Sequence, residues 1–343
     1  MKTFIKGLVL SAVVASSQVY ANQTLNVYAW GGYLPEKSLK AFEKQEGVTI
    51  NYSTFENNES MYTKLKLLKG TGYDVVFASA YFIEKMGREG LLAEIDHNQI
   101  PNMKDAMPTV LGLAHDPQNK FSLPYIWGIT GLYYNSSTLP NGITKWADLW
   151  DKQYEQQVML IDDLRDVFGM ALKLNGFSIN TKNEEEIKKA YESLVALKKN
   201  VLLYNSDAPH VPYVSGEATL GMQWNGNAYQ GQVEMAELKF VMPEEGAVLW
   251  MDNFTIPSGS KNIPLAHKFI NFMYQPENQA EIVQTLGYAS ATKGGRAILP
   301  AELRDNPTIF PSDEDMKKGE FTNDVGPETL AIYEKYWQRL RNQ

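Results

Sequence analysis

The chain has 343 residues, 44% of them hydrophobic, which is long enough for two domains with substantial cores. A formal charge of −8 at pH 7, from 32 Lys and Arg against 40 Asp and Glu, argues against nucleic-acid and anionic-membrane partners and is compatible with cationic ligands. Cysteine is absent, so neither a disulfide nor a lipid-attached cysteine is possible and stability must come from the core.

The basic start Met1 to Lys6, the apolar run Gly7 to Ala15 and the small-residue stretch ending at Ala21 read as a secretory signal peptide, residues 1–21. The run is too short to span a bilayer, and no later window offers about 18 uncharged apolar residues. A soluble, exported protein is expected, which in a bacterium means the periplasm. Strand-like and helix-like runs then alternate. Thr24 to Trp30 alternates, Pro35 to Gln45 is amphipathic, Val48 to Thr54 alternates again, Asn58 to Leu68 has helical spacing, and Asp74 to Ala78 is a short buried strand. This series predicts an α/β protein with mostly parallel sheets covered by helices, whose ligands sit at the carboxyl ends of the strands.

The first series ends near Trp127 and a second begins at Gly131 to Asn135, so two lobes with a ligand cleft between them are expected. In the second series, Gln157 to Ile161 is a strand running into Asp162, Asp163 and Asp166, which open a helix, and Ala218 to Gln223 runs into Trp224. Asn183 to Lys199 and Pro327 to Arg341 read as scaffold helices, their apolar stripes being core. The run Trp250 to Pro257 is a later strand, expected to carry the chain back toward the first lobe.

No nucleophile elbow, phosphate-binding loop, His-Glu-x-x-His pair or dinucleotide fingerprint occurs. The four histidines are scattered, most of them read as lying in polar loops or on a solvated helix face, which argues against a zinc site or a serine triad. Asp162, Asp163 and Asp166 have two readings, helix capping or the paired carboxylates of glycoside hydrolysis. Tyr133-Tyr134 raises ferric-iron ligation, but neighbours in a strand face opposite ways, which makes one of them core. No cofactor and no metal are expected, and no enzymatic activity.

Trp250 and Asp252 stand two apart in an extended run and so share a face. An indole attracts cations and covers methylenes, and a carboxylate accepts charge-assisted hydrogen bonds from an ammonium. The same pair also fits core filler plus a turn residue. Aromatic or polar residues recur at other strand ends: Trp30 and Tyr33, then Ser79 and Tyr81, then Trp224.

With these residues in view, the chain resembles the periplasmic spermidine/putrescine-binding proteins of polyamine ABC transporters. The densest stretches are Tyr52 to Lys66, Leu123 to Gly128, Trp146 to Trp150 and Asn205 to Asp207. Gly221 to Gly226, Trp250 to Asp252, Gly287-Tyr288 and Asn323 to Gly326 complete the likeness. The resemblance implies a two-lobed type II periplasmic binding protein fold, each lobe a central mostly parallel sheet flanked by helices. The lobes are expected at 22–128 plus 252–298 and at 129–251 plus 299–343.

It also implies that Trp30, Tyr33, Tyr81, Trp224, Trp250 and Tyr288 line a polyamine, that Asp163, Asp166 and Asp252 take its amines, and that Ser79 adds a hydrogen bond. Asp166 stands where spermidine binders tend to have Glu, and Thr322, also expected in the site, where they tend to have Gln. Gly31-Gly32 replaces a hydroxyl residue and an acid, and all three changes alter reach to the ligand's ends. Spermidine, putrescine and a triamine such as norspermidine all remain open as ligand, as do inner-membrane ABC permease subunits or a membrane signalling receptor as partner. A sugar-binding protein is the remaining alternative, and a monomer is expected.

Overall fold

The computed structural model describes residues 23–342; the signal-peptide reading lies outside the described residues. Among the described residues eleven strands run in chain order as β1 (Thr24–Trp30), β2 (Thr49–Phe55), β3 (Val75–Ser79), β4 (Ser122–Asn135), β5 (Val158–Leu160), β6 (Val201–Tyr204), β7 (Leu220–Trp224), β8 (Leu238–Val241), β9 (Val248–Thr255), β10 (Ala289–Ser290) and β11 (Glu320–Phe321). They join in the order β2-β1-β3-β9-β4-β7-β5-β6, with β8 and β10 on β4 and β11 on β9. The outer strands pair in parallel, β1 with β2 and β3, and β5 with β6 and β7. At the centre β4 and β9 form an antiparallel ribbon, from Ser122 opposite Thr255 to Thr130 opposite Val248. Parallel strands need crossover helices, which cover the sheet on both faces.

Two large cores lie on either side of this ribbon. One gathers Val27, Phe77, Tyr125, Phe254, Phe269 and Tyr274, and the other gathers Leu132, Trp146, Phe168, Leu194, Met222 and Tyr333. The ribbon contributes to both, since Tyr125 and Phe254 sit in the first core and Leu132 in the second. A third cluster, with Leu299, Ile309 and Phe310 on Trp127, Met251 and Val283, packs where the ribbon passes between them.

The sequence reading breaks the chain between Trp127 and Gly131, whereas the structure has one unbroken 14-residue strand there. The glycines in this run are points of close approach, not turns. A Cβ on Gly128 would overlap the Trp250 ring and lie 2.7 Å from Asn225 Oδ1, and one on Gly131 would lie 2.7 Å from Phe240 Cζ. Gly128→Ala is therefore expected to destabilise the protein by about 1–3 kcal/mol, the usual range for overpacking. Urea unfolding followed by tryptophan fluorescence measures this, and an unchanged midpoint would mean that Trp250 moves aside freely.

Two other expectations meet the structure at single residues. Tyr133 is fully buried and its hydroxyl donates to the Ala228 carbonyl, which makes it core. The histidine reading is corrected at His267, which lies on a helix but is 1% exposed. Its Nε2 accepts from the Asp96 N–H at 2.8 Å while Nδ1 donates to the Ile263 carbonyl. His115 is buried too. Burial pushes its pKa down despite the nearby Asp116.

Candidate functional site

The loop after β1 is tied down from below. Tyr52 donates its hydroxyl to the Trp30 carbonyl, and Tyr125 donates to the Tyr33 carbonyl at 2.7 Å. Gly32 takes φ +67°, a conformation that favours glycine. These straps aim Tyr33, which packs against Trp30 with ring centroids 5.0 Å apart, and its hydroxyl donates to Asp252 Oδ2.

Asp252 is 6% exposed and lies opposite Ser79 in the β3–β9 register. Ser79 occupies the N-cap position of the helix Ala80–Arg88 yet makes no capping bond; its hydroxyl donates to Asp252 Oδ1 at 2.5 Å instead. A local rule is broken where the side chain has another task. Asn58, which opens the helix Asn58–Leu67, donates from Nδ2 to Ser79 Oγ at 3.0 Å and to the Tyr81 hydroxyl at 3.2 Å.

The second core supplies its own acids. Asp163 is the N-cap of the helix Leu164–Leu174, accepting from the Arg165 and Asp166 N–H groups at 2.8 and 2.9 Å. One turn in, buried Asp166 accepts from Trp224 Nε1 at 2.7 Å and from the Thr130 hydroxyl at 2.9 Å, these two being register partners on β7 and β4. Asp162, the third acid read from the sequence, faces outward and pairs with Arg341 at 3.2 Å.

The two sets face one another. Trp250 meets Tyr288 edge-on at 5.0 Å, and Tyr288 donates its hydroxyl to Asn227 Oδ1 at 2.6 Å, a bond between a side chain of the first core and the helix that follows Trp224. The Arg165 guanidinium lies 5.6 Å from the Tyr81 ring centroid, and Arg88 bonds Asp324 at 2.6 Å. Thr322 is buried, and its hydroxyl donates to the Leu249 carbonyl at 3.0 Å, which ties it to β9.

Burial pushes all three central carboxyls up. Asp252 rises to about 6, its loss of hydration outweighing the bonds from Ser79 and Tyr33. Asp166 is raised by burial and by the charge of Asp163, against the bonds from Trp224 and Thr130. Asp163 is raised by burial against its main-chain bonds. Among the described residues no Lys or Arg forms an ion pair with any of the three, and Arg165 spends its donors on the Asn323 and Ile179 carbonyls and on Asn180 Oδ1. Among the described residues no three or more His, Cys, Asp or Glu side chains cluster as metal ligands would. The Arg165 charge pulls Asp163 and Asp166 down without offsetting their burial, so the arrangement offers buried carboxylates without a salt-bridge partner beside aromatic rings, and buried charge of that kind is stabilised by an incoming cation.

The sequence reading misses Asn58 and Thr130. Asn58 follows another Asn at a helix start, where capping absorbs both; the structure gives the cap to Asn57. Thr130 is the one threonine of its strand and sits between Ile129 and Gly131, and a small hydroxyl residue in the middle of a long, largely apolar run is the signal that could have marked it.

Two α/β units joined by an antiparallel ribbon, with an acid-and-aromatic site where they meet, define the type II periplasmic binding protein fold. The chain belongs to the bacterial extracellular solute-binding protein family, matched over residues 37–311, a family of solute-binding proteins and not of enzymes. It is 42% identical over 333 residues to a spermidine/putrescine-binding periplasmic protein of Salmonella typhimurium, covering 97% of this chain and 95% of that one. It is 41% identical to the protein so named in Escherichia coli, covering 93% and 92%. Among solved structures, a putative spermidine/putrescine ABC transporter protein from Listeria monocytogenes superposes with a TM-score of 0.89 at 33% identity, covering 93% of this chain and 99% of that one.

Proposed function

We propose that the protein captures a polyamine in the cleft between its lobes and delivers it to the permease of an ABC transporter. The ligand is spermidine, putrescine or a related triamine such as norspermidine. The observation that carries this reading is the set Asp252, Asp166 and Asp163, buried or half-buried, joined by no salt bridge among the described residues and raised by burial, beside Trp30, Tyr33, Tyr81, Trp224, Trp250 and Tyr288. A polyamine is an apolar chain carrying separated positive charges, and burying it requires an acceptor for each ammonium and aromatic walls for the methylenes. Cation–π contacts of about 0.5–2 kcal/mol and charged hydrogen bonds of about 1.5–3 kcal/mol support micromolar binding after ordering costs. The names of the relatives support the ligand class.

The lobes we assign are 22–128 plus 252–298 and 129–251 plus 299–343, with the 299–310 segment resting on the ribbon between them. We place the mature protein, free of residues 1–21, in the periplasm as a monomer; among the described residues no helix is long and apolar enough to cross a membrane. Calorimetric titration of the mature protein with diamines, triamines, amino acids and oligosaccharides tests the ligand class. Binding of a di- or triamine and of none of the others is expected, and heat from oligosaccharides alone would overturn the reading.

A further inference from the structure

We propose that Asn58 is a positioning residue that aims the Ser79 hydroxyl proton at Asp252, so that the carboxylate meets the ligand as an acceptor of N–H groups; the role rests on the cation-binding reading above. Asn58 is 7% exposed. Its Oδ1 accepts the Ser79 main-chain N–H at 3.1 Å, and a peptide N–H can only donate, so the amide has one orientation. Nδ2 then faces Ser79 Oγ at 3.0 Å and the Tyr81 hydroxyl oxygen at 3.2 Å, and its two hydrogens serve both. Each hydroxyl keeps a single proton and must send it elsewhere.

For Ser79 the acceptor is Asp252 Oδ1 at 2.5 Å, and Tyr33 donates to Oδ2. Each carboxylate oxygen therefore receives one hydroxyl from the protein and keeps lone-pair capacity for an ammonium. The Tyr81 proton is likewise directed away from Asn58. Burial and the charges of Glu59 and Asp163 keep that hydroxyl protonated. Without the amide, Ser79 is free to turn its proton away from Asp252 and offer the carboxylate nothing.

Asn58→Asp tests this with a near-isosteric change, because a carboxylate at position 58 accepts both hydroxyl protons and donates none. Asp252 then loses the Ser79 donor and gains a like charge nearby. In the ligand-free protein, the Asp252 titration midpoint followed by carbon-13 NMR is expected to rise by about one unit. Spermidine affinity at pH 5.5, where the raised midpoint leaves far less of Asp252 ionised, is expected to fall about fivefold or more although a negative charge has been added to a cation site. A general electrostatic role for position 58 gives tighter binding, the opposite sign.

Ser79→Ala is expected to raise the same midpoint, and the double variant to raise it by less than the two single effects together. A wild-type midpoint in Asn58→Asp, or full additivity with Ser79→Ala, overturns the assignment. If Asn58→Asp does not fold, Asn58→Ala provides the same reading with a smaller upward shift, and no shift overturns it. The NMR midpoint needs no ligand, so failure of the unaltered protein to bind spermidine counts against the functional reading alone.

Discussion

Asp252→Asn weakens polyamine binding by at least about tenfold, roughly 1.4 kcal/mol, while the ligand-free protein keeps or raises its melting temperature. The two halves of this expectation have one cause. Asp252 is desolvated, and its carboxyl is pushed up to about 6 because the bonds from Ser79 and Tyr33 do not replace the lost water. Neutral asparagine escapes that penalty, and its amide still satisfies both neighbours: Oδ1 accepts the Ser79 hydroxyl and Nδ2 donates to the Tyr33 oxygen once that hydroxyl rotates. What is lost is the charge that an ammonium meets. Saturating spermidine raises the melting temperature of the unaltered protein by mass action and should raise that of the variant far less. Thermal unfolding with and without ligand, together with calorimetry, checks both halves. Unchanged affinity would remove Asp252 from the site, and a collapse of the ligand-free protein would make it a structural residue.

The residues at strand ends were legible because the physics that places them is local. A parallel strand ending in Trp30, Ser79 or Trp224 delivers its last side chain to the edge of the sheet where crossover loops begin, and alternation then tells which face it takes. β1 occupies the span its alternation predicts. The helix opening at Asp163 was readable for the same reason, since an acid before an apolar periodic run is a capping signal, and Asp163 does cap it.

What sequence could not show depends on distant partners. Gly128 and Gly131 look like breaks in a strand until Trp250 and Phe240, more than a hundred residues away in the chain, are seen filling the space over them. Asn58 looks like one of two capping residues until its amide is found on Ser79 and Tyr81. His267 looks solvated from its polar neighbours Lys268 and Asn271, and only packing against Asp96 shows otherwise. The Trp250–Asp252 pair lies between these cases. Its shared face follows from strand geometry, but the choice between core filler and cation wall rests on Tyr33, Ser79 and Tyr288 arriving from three other segments.

Polyamine affinity is expected to fall by about tenfold or more between pH 7.5 and pH 5, and binding near pH 6.5 to release protons. The ligand's amines stay charged throughout this range, so the change belongs to the protein. Asp252 titrates near 6 in the folded chain, so at pH 5 only about a tenth of it is ionised. Burial raises Asp163 and Asp166 as well, so their titration acts on affinity in the same direction. The same shifts act on ligand-free stability with the opposite sign. An unfolded Asp titrates near 3.9, so between about pH 4 and 6 the folded chain retains a proton on Asp252 that the unfolded chain has lost. Ligand-free stability therefore falls as pH rises through that window, by up to about 3 kcal/mol from Asp252, and Asp163 and Asp166 act in the same direction. A bound polyamine reverses this loss, so the ligand-induced rise in melting temperature should be larger at pH 7.5 than at pH 5. Calorimetry at pH 6.5 in two buffers of different ionisation enthalpy counts the protons released. Affinity flat from pH 5 to 8 with no proton release would mean that the ligand's charges are met by groups other than these buried acids.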